Sequence, residues 1–121
     1  MTGKDDVRRL AGALDGVTEH GEDTFDFRRD GRVMFWPYPE RIHPKKARVP
    51  RYDQFAMRVA DADDKEAYLL GEPEVFFTTD HYNGFGSVIV RLDAIDEARL
   101  EELVREAWGA APLSSRLKRI V

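Results

Sequence analysis

Apolar residues recur along the chain at two spacings, and the switches between them mark out the elements. Val7, Leu10, Ala11 and Leu14 fall at i, i+3, i+4 and i+7, one stripe of an amphipathic helix. A helix is therefore expected over residues 4–15, with Gly16 as its stop, because glycine accepts the left-handed conformation at a helix end. After the break at Gly21-Glu22-Asp23, Phe25 and Phe27 alternate with polar neighbours and read as a half-buried strand. Asp30-Gly31 is a hairpin turn signal, so residues 32–36 should return as the second strand. Residues 37–52 contain four of the six prolines, Pro37, Pro39, Pro44 and Pro50. Proline removes ladder donors, so this stretch reads as a long connection and not as a central strand. Phe55, Met57 and Val59 resume the alternation.

Asp61 or Asp63 is placed to cap a short helix through about residue 70; Asp63 and Glu66 have the spacing of a capping box, and Gly71 and Pro73 end it. Residues 75–79 are β-branched and aromatic, residues 80–84 form a turn, and Val88, Val90 and Leu92 share one face of the next strand. Leu100, Leu103, Val104, Ala107 and Trp108 give the clearest helical stripe, with Asp96 as N-cap and Ile95 and Leu100 at staple spacing. Pro112 suits the first turn of a last short helix carrying Leu113, Leu117 and Ile120. The expected order is α-β-β-β-α-β-β-α-α. Tight hairpins and one-sided strands predict an α+β fold, an antiparallel β-sheet with helices packed on it.

At 121 residues, with 42% hydrophobic and 11% aromatic content, the chain suits a single domain spanning 1–121. It has no long apolar run of the kind that crosses a membrane, and residues 1–6 lack the apolar core of a signal peptide. The absence of cysteine excludes disulfides, thiol catalysis and a cysteine zinc site. These features together predict a cytoplasmic location. The net charge of −4 argues against a uniformly basic nucleic-acid binder, but the average hides segregation. Residues 28–51 hold eight basic side chains (Arg28, Arg29, Arg32, Arg41, Lys45, Lys46, Arg48 and Arg51) and two acidic ones, or +6, whereas residues 52–111 sum to −9. Presented on one surface, the basic block would collect anionic ligands.

Catalytic signals are thin. His20, His43 and His81 lack metal-ligand spacing. None of Ser87, Ser114 and Ser115 lies in a nucleophile elbow. The pairs Asp63-Asp64 and Glu101-Glu102 fit solvated helix faces better than acid–base chemistry. Gly84-Phe85-Gly86 precedes a strand, whereas a phosphate loop leads into a helix N-terminus. No cofactor and no catalysis are expected. The candidate site is a wing formed by the basic connection and its hairpin neighbours, lying along a phosphate backbone. Its members would be Arg28, Arg29, Arg32, Arg41, Lys45, Lys46, Arg48, Arg51 and Tyr52. Trp36, Tyr38 and Tyr52 flank it and could stack on bases; covering the sheet edge is the simpler role for Trp36.

Three stretches carry a resemblance. Leu14-Asp15-Gly16-Val17-Thr18-Glu19, the run Glu74–Leu92 centred on Asp80-His81-Tyr82-Asn83-Gly84-Phe85-Gly86, and the helix 93–108 ending Ala107-Trp108 resemble, in order, the motifs of the MmcQ/YjbR family. The resemblance implies a CyaY-like α+β fold of double-wing type and a DNA-binding role, and it brings no catalytic or cofactor residues. Asp15 and Gly86 stand where the family commonly has proline, and the 37–52 segment is longer and more basic than usual. DNA is the partner this implies. The opposed basic and acidic segments leave a second reading, a protein-interaction or regulatory adaptor that binds a partner or a second copy of itself. A third, an enzyme site at the His81-Tyr82 turn, would need a His–Tyr proton relay in a pocket.

Overall fold

The computed structural model describes residues 2–80, 82 and 84–113. Three helices, α1 (Lys4–Gly12), α2 (Ala62–Gly71) and α3 (Glu97–Ala110), accompany six strands: β1 (Val17–Glu19), β2 (Phe27–Arg29), β3 (Arg32–Glu40), β4 (Val49–Arg58), β5 (Phe76–Phe77) and β6 (Ser87–Arg91). The strands form one sheet in the order β1-β2-β3-β4-β6-β5, with every pairing antiparallel. The fold is thus α+β, with the helices packed on the sheet. The Leu113, Leu117 and Ile120 pattern expected of a last helix lies outside the described residues beyond a single 3-10 turn at Ala111–Leu113, as do His81 and Asn83.

The helical stripe of α3 is realised: Leu100, Leu103, Val104 and Ala107 are buried, and the Asp96 carboxylate accepts the Arg99 N–H at 2.8 Å. Each of the larger side chains contributes about 2 kcal/mol by leaving water. They meet Val7 and Ala11 of α1 and the sheet residues Phe27, Phe35, Phe55, Met57, Val88 and Val90 in the main core. The 55/57/59 alternation therefore points where its spacing predicts. In α2 the cap is Asp61, whose side chain accepts the Asp64 N–H. The alternative start at Asp63 is not taken.

Asp30 and Gly31 both have positive φ, 51° and 83°, and join paired Arg29 and Arg32. This is a two-residue turn that matches the right-handed strand twist. Glycine at 31 avoids the Cβ clash of that backbone region. Gly31→Ala, with open space around the new methyl, should cost about 1 kcal/mol from backbone conformation alone, read as a lower thermal midpoint with unchanged spectra.

Three expectations need correction. Phe25 does not lie in a strand: it takes a φ of 56°, and β2 begins at Phe27. Val17–Glu19 forms a strand that short-range pattern did not mark, paired with β2 from Val17↔Arg29 to Glu19↔Phe27. Half of 37–52 is not a loop, because β3 runs on to Glu40 and β4 starts at Val49, leaving residues 41–48 as the connection. Pro37 and Pro39 are tolerated there because β2 stops pairing at Phe27↔Phe35. Past that point β3 has β4 on one side and no described strand on the other, so a missing donor breaks no ladder.

Candidate nucleic-acid interface

The outer half of the β3–β4 hairpin projects as a two-stranded arm. On one side β2 has ended by Phe35; on the other, β6 pairs with β4 only from Gln54 to Arg58. Tyr38↔Arg51, Pro39↔Pro50 and Glu40↔Val49 hold the arm together beyond a register shift after Pro37. Its tip, residues 41–48, carries four cationic side chains (Arg41, Lys45, Lys46 and Arg48) and no carboxylate. The tip is shaped from within. Arg41 donates to the carbonyls of Pro44 and Lys46 at 2.9 and 3.0 Å, and the Lys45 N–H donates to His43 Nδ1 at 3.2 Å. Arg48 donates to the Pro39 carbonyl at 3.2 Å. Carbonyl contacts leave these guanidinium charges uncancelled, and the tip is exposed, Ile42 reaching 74%.

The other members of the basic block are spent elsewhere. Arg29 lies over the Trp108 ring at 3.6 Å and donates to the Trp108 carbonyl. Arg32 donates to the Pro112 carbonyl at 2.8 Å. Both therefore fasten the hairpin turn to the end of α3. Arg28 is paired with Asp26 through two hydrogen bonds. Arg51 sits between Asp53 and Glu40; hydrogen bonds to those carboxylates raise its pKa, and Arg51 in turn holds the Asp53 carboxyl below the usual range. Tyr52 packs edge-on against Phe25 with Lys4 over its ring, on the helix side and away from the tip. Of the nine sequence candidates, then, Arg41, Lys45, Lys46 and Arg48 gather at the tip with no carboxylate partner among the described residues, Arg28 and Arg51 are paired with acids, and Arg29, Arg32 and Tyr52 lie elsewhere.

The sheet's second face carries its own cluster. Ala56, Ile89 and buried Tyr82 are joined there by half-buried Trp36, Tyr38 and Phe77. Trp36 Nε1 donates to the Tyr82 hydroxyl at 3.1 Å, Tyr38 meets Phe77 edge-on at 6.2 Å, and Arg91 lies 4.2 Å over the Phe77 ring. Burial raises the Tyr82 pKa, an effect opposed in part by its bond from Trp36 and by the charge of Arg48. Lys65 of α2 is 7% exposed and donates from Nζ to the carbonyls of Tyr82 and Phe85 at 2.6 and 2.8 Å, fixing the turn that brings Tyr82 onto this face. Burial lowers the Lys65 pKa. Neither Phe77, Arg91 nor Lys65 was marked in the sequence; period-2 parity groups Arg91 with Ile89 within β6, but Phe77 joins them only through the β5–β6 register Phe77↔Ile89.

Elsewhere, a cavity of about 400 Å³ is lined by Arg58, Asp64, Tyr68 and Glu106 among others. The Tyr68 hydroxyl bonds to the Glu106 carboxylate, and Arg58 donates to the Val33 carbonyl at 2.6 Å. No group of three His, Cys, Asp or Glu among the described residues is placed to hold a metal, and none of the described helices is long and apolar enough to cross a membrane.

Mycobacterial proteins are similar to the chain over most of its length. The uncharacterized protein Mb2600 of Mycobacterium bovis is 36% identical over 110 residues, 86% of this chain and 84% of that protein. The uncharacterized protein Rv2570 of Mycobacterium tuberculosis matches with the same identity and coverage. The chain belongs to their family. Neither relative's name states an activity, so membership fixes ancestry and leaves the chemistry to be argued from the residues. No protein-family model and no solved structure matches the chain.

Proposed function

We propose that the chain is a non-catalytic nucleic-acid-binding domain of the MmcQ/YjbR type, with the β3–β4 arm as its wing. The observation that carries this reading is the arm itself: a projecting hairpin with four cations and no acid in its eight-residue tip. Such a tip can lie along a phosphate backbone and release counterions as Arg and Lys approach. Glu40 and Asp53, the nearest carboxylates in the chain, are both engaged by Arg51 and so oppose an approaching phosphate less. The net charge of the whole protein is no obstacle, since the Debye length of about 8 Å at physiological salt confines attraction to the local surface. A cytoplasmic setting follows from the same reading.

The test is a salt series on duplex DNA. Four phosphate contacts predict that log affinity falls with log salt at a slope of roughly −3.6. The Lys45→Ala, Lys46→Ala, Arg48→Ala triple variant should flatten that slope by roughly 2.7 and weaken binding uniformly across sequences. Equal weak binding by wild type and variant defeats the reading.

A further inference from the structure

We propose that the open face of the sheet is a stacking platform for the bases of single-stranded nucleic acid; the inference rests on the wing reading and names the form of nucleic acid that the wing delivers. Among the described residues, the main core and the helices α1, α2 and α3 lie against the opposite face. No residue of α1, α2 or α3 belongs to the cluster of Trp36, Tyr38, Ala56, Phe77, Tyr82 and Ile89. Aromatic rings left partly exposed on a sheet face are costly in water, and they offer π-faces that any base can use. Here three such rings share the face, Trp36 and Tyr38 on β3 and Phe77 on the edge strand β5, with Tyr38 reaching Phe77 over the two strands between them.

Cations sit where a strand's phosphates would pass. The Arg91 guanidinium is stacked on Phe77, extending the platform with a planar charged group of the kind that stacks on bases and pairs phosphate. Arg48 is tied to Pro39 on the same strand as Trp36 and Tyr38, so the wing's charge continues into the platform. Arg51, directly opposite Tyr38 in the register, neutralises Glu40 and Asp53 beside it. A duplex keeps its bases stacked inside and presents only its backbone. A single strand can splay its bases onto the rings while its phosphates meet Arg48, Arg91 and the tip lysines.

The experiment compares four probes by fluorescence anisotropy: a 12-nucleotide oligothymidylate, an abasic 12-mer of the same charge, a duplex, and an aromatic-rich peptide. Wild type should bind oligothymidylate at least tenfold more tightly than the abasic strand and the duplex. Tyr38→Leu with Phe77→Leu, which keeps apolar volume and removes the rings, should lose that advantage on oligothymidylate and leave duplex binding unchanged. The wing triple variant should weaken on both DNAs. Equal binding of the abasic strand and oligothymidylate by wild type overturns the platform and leaves the wing standing, a comparison that needs no variant to fold. Absence of salt-dependent binding to any DNA removes both. Tighter capture of the peptide, or a doubled mass in light scattering without nucleic acid, would assign the face to a protein partner or a second copy and likewise overturn the proposal.

Discussion

Replacing Lys65 by alanine should lower the unfolding free energy by about 3 kcal/mol. The buried ammonium donates charge-assisted hydrogen bonds to the carbonyls of Tyr82 and Phe85, and its removal leaves each with a single backbone donor, from Phe85 and Ser87, besides losing the packing of the stem. Lys65→Met keeps the stem and its packing and removes the donors alone, so it should retain about a third of the lost stability through apolar burial. Both variants should speed hydrogen exchange at the Phe85 and Val59 amides, which donate to the Tyr82 and Gly86 carbonyls within and beside this turn. Exchange in α3 should change only as far as global stability does. An unchanged denaturation midpoint in Lys65→Met would mean that the two bonds do not hold the turn. Because the turn carries Tyr82 onto the open face, a loosened turn should also disturb the Trp36 environment, visible as a shift in tryptophan emission.

The second large effect centres on Glu19. Its carboxylate accepts Arg8 Nε and Nη2 at 3.0 and 2.8 Å and the Phe25 N–H at 3.0 Å. Phe25 needs that support: it is a bulky residue with positive φ, a conformation costing about 1–2 kcal/mol. Its ring is clamped by Phe27, Tyr52 and the Arg8 guanidinium at 4.0 Å. Glu19→Ala should cost about 2 kcal/mol, chiefly by leaving the Phe25 N–H without its acceptor. The bond from Arg8 holds the Glu19 carboxyl below its ordinary pKa, against a smaller opposing push from burial. A carboxyl lowered in the folded state binds its proton less readily there than in the unfolded chain. Its stabilisation is therefore present above the ordinary value of 4.5 and is lost as pH falls through the lowered one. Urea midpoints should thus fall between neutral pH and about pH 3, and the fall should be shallower in Glu19→Gln. Asp53 titrates with the same sign, so the slope should shrink without vanishing.

How much of this was legible in the chain depends on the range of each interaction. Helix α3 could be read because its stripe and cap lie within one segment, and the Asp30-Gly31 turn because its backbone demand is local. Strand β1 has three residues and no alternation of its own; it exists through pairing with β2. The extension of β3 was hidden by Pro37 and Pro39, whose meaning depends on whether a neighbouring strand is present, a fact of the assembled sheet. The candidate site divides the same way. Charge is a property of each residue, so the cations of the tip could be named in advance. Their competitors could not: Arg29 is consumed by Trp108 across 79 positions and Arg32 by Pro112 across 80. Arg51 was lost to nearer acids, Glu40 and Asp53, which a count of net charge includes but does not pair.

The two prolines of β3, Pro37 and Pro39, have a consequence for how the protein avoids its own kind. A nine-residue strand with one edge of its outer half unpaired would ordinarily invite the strand of another molecule to add to it, main chain to main chain, as in edge-to-edge aggregation. With Pro37 and Pro39 in that half, two amide donors are missing, and an incoming strand would find a broken template. The arm can thus be long, apolar in places and solvent-facing while remaining a poor seed for assembly. Whatever docks on that edge of β3 must be recognised chiefly through side chains.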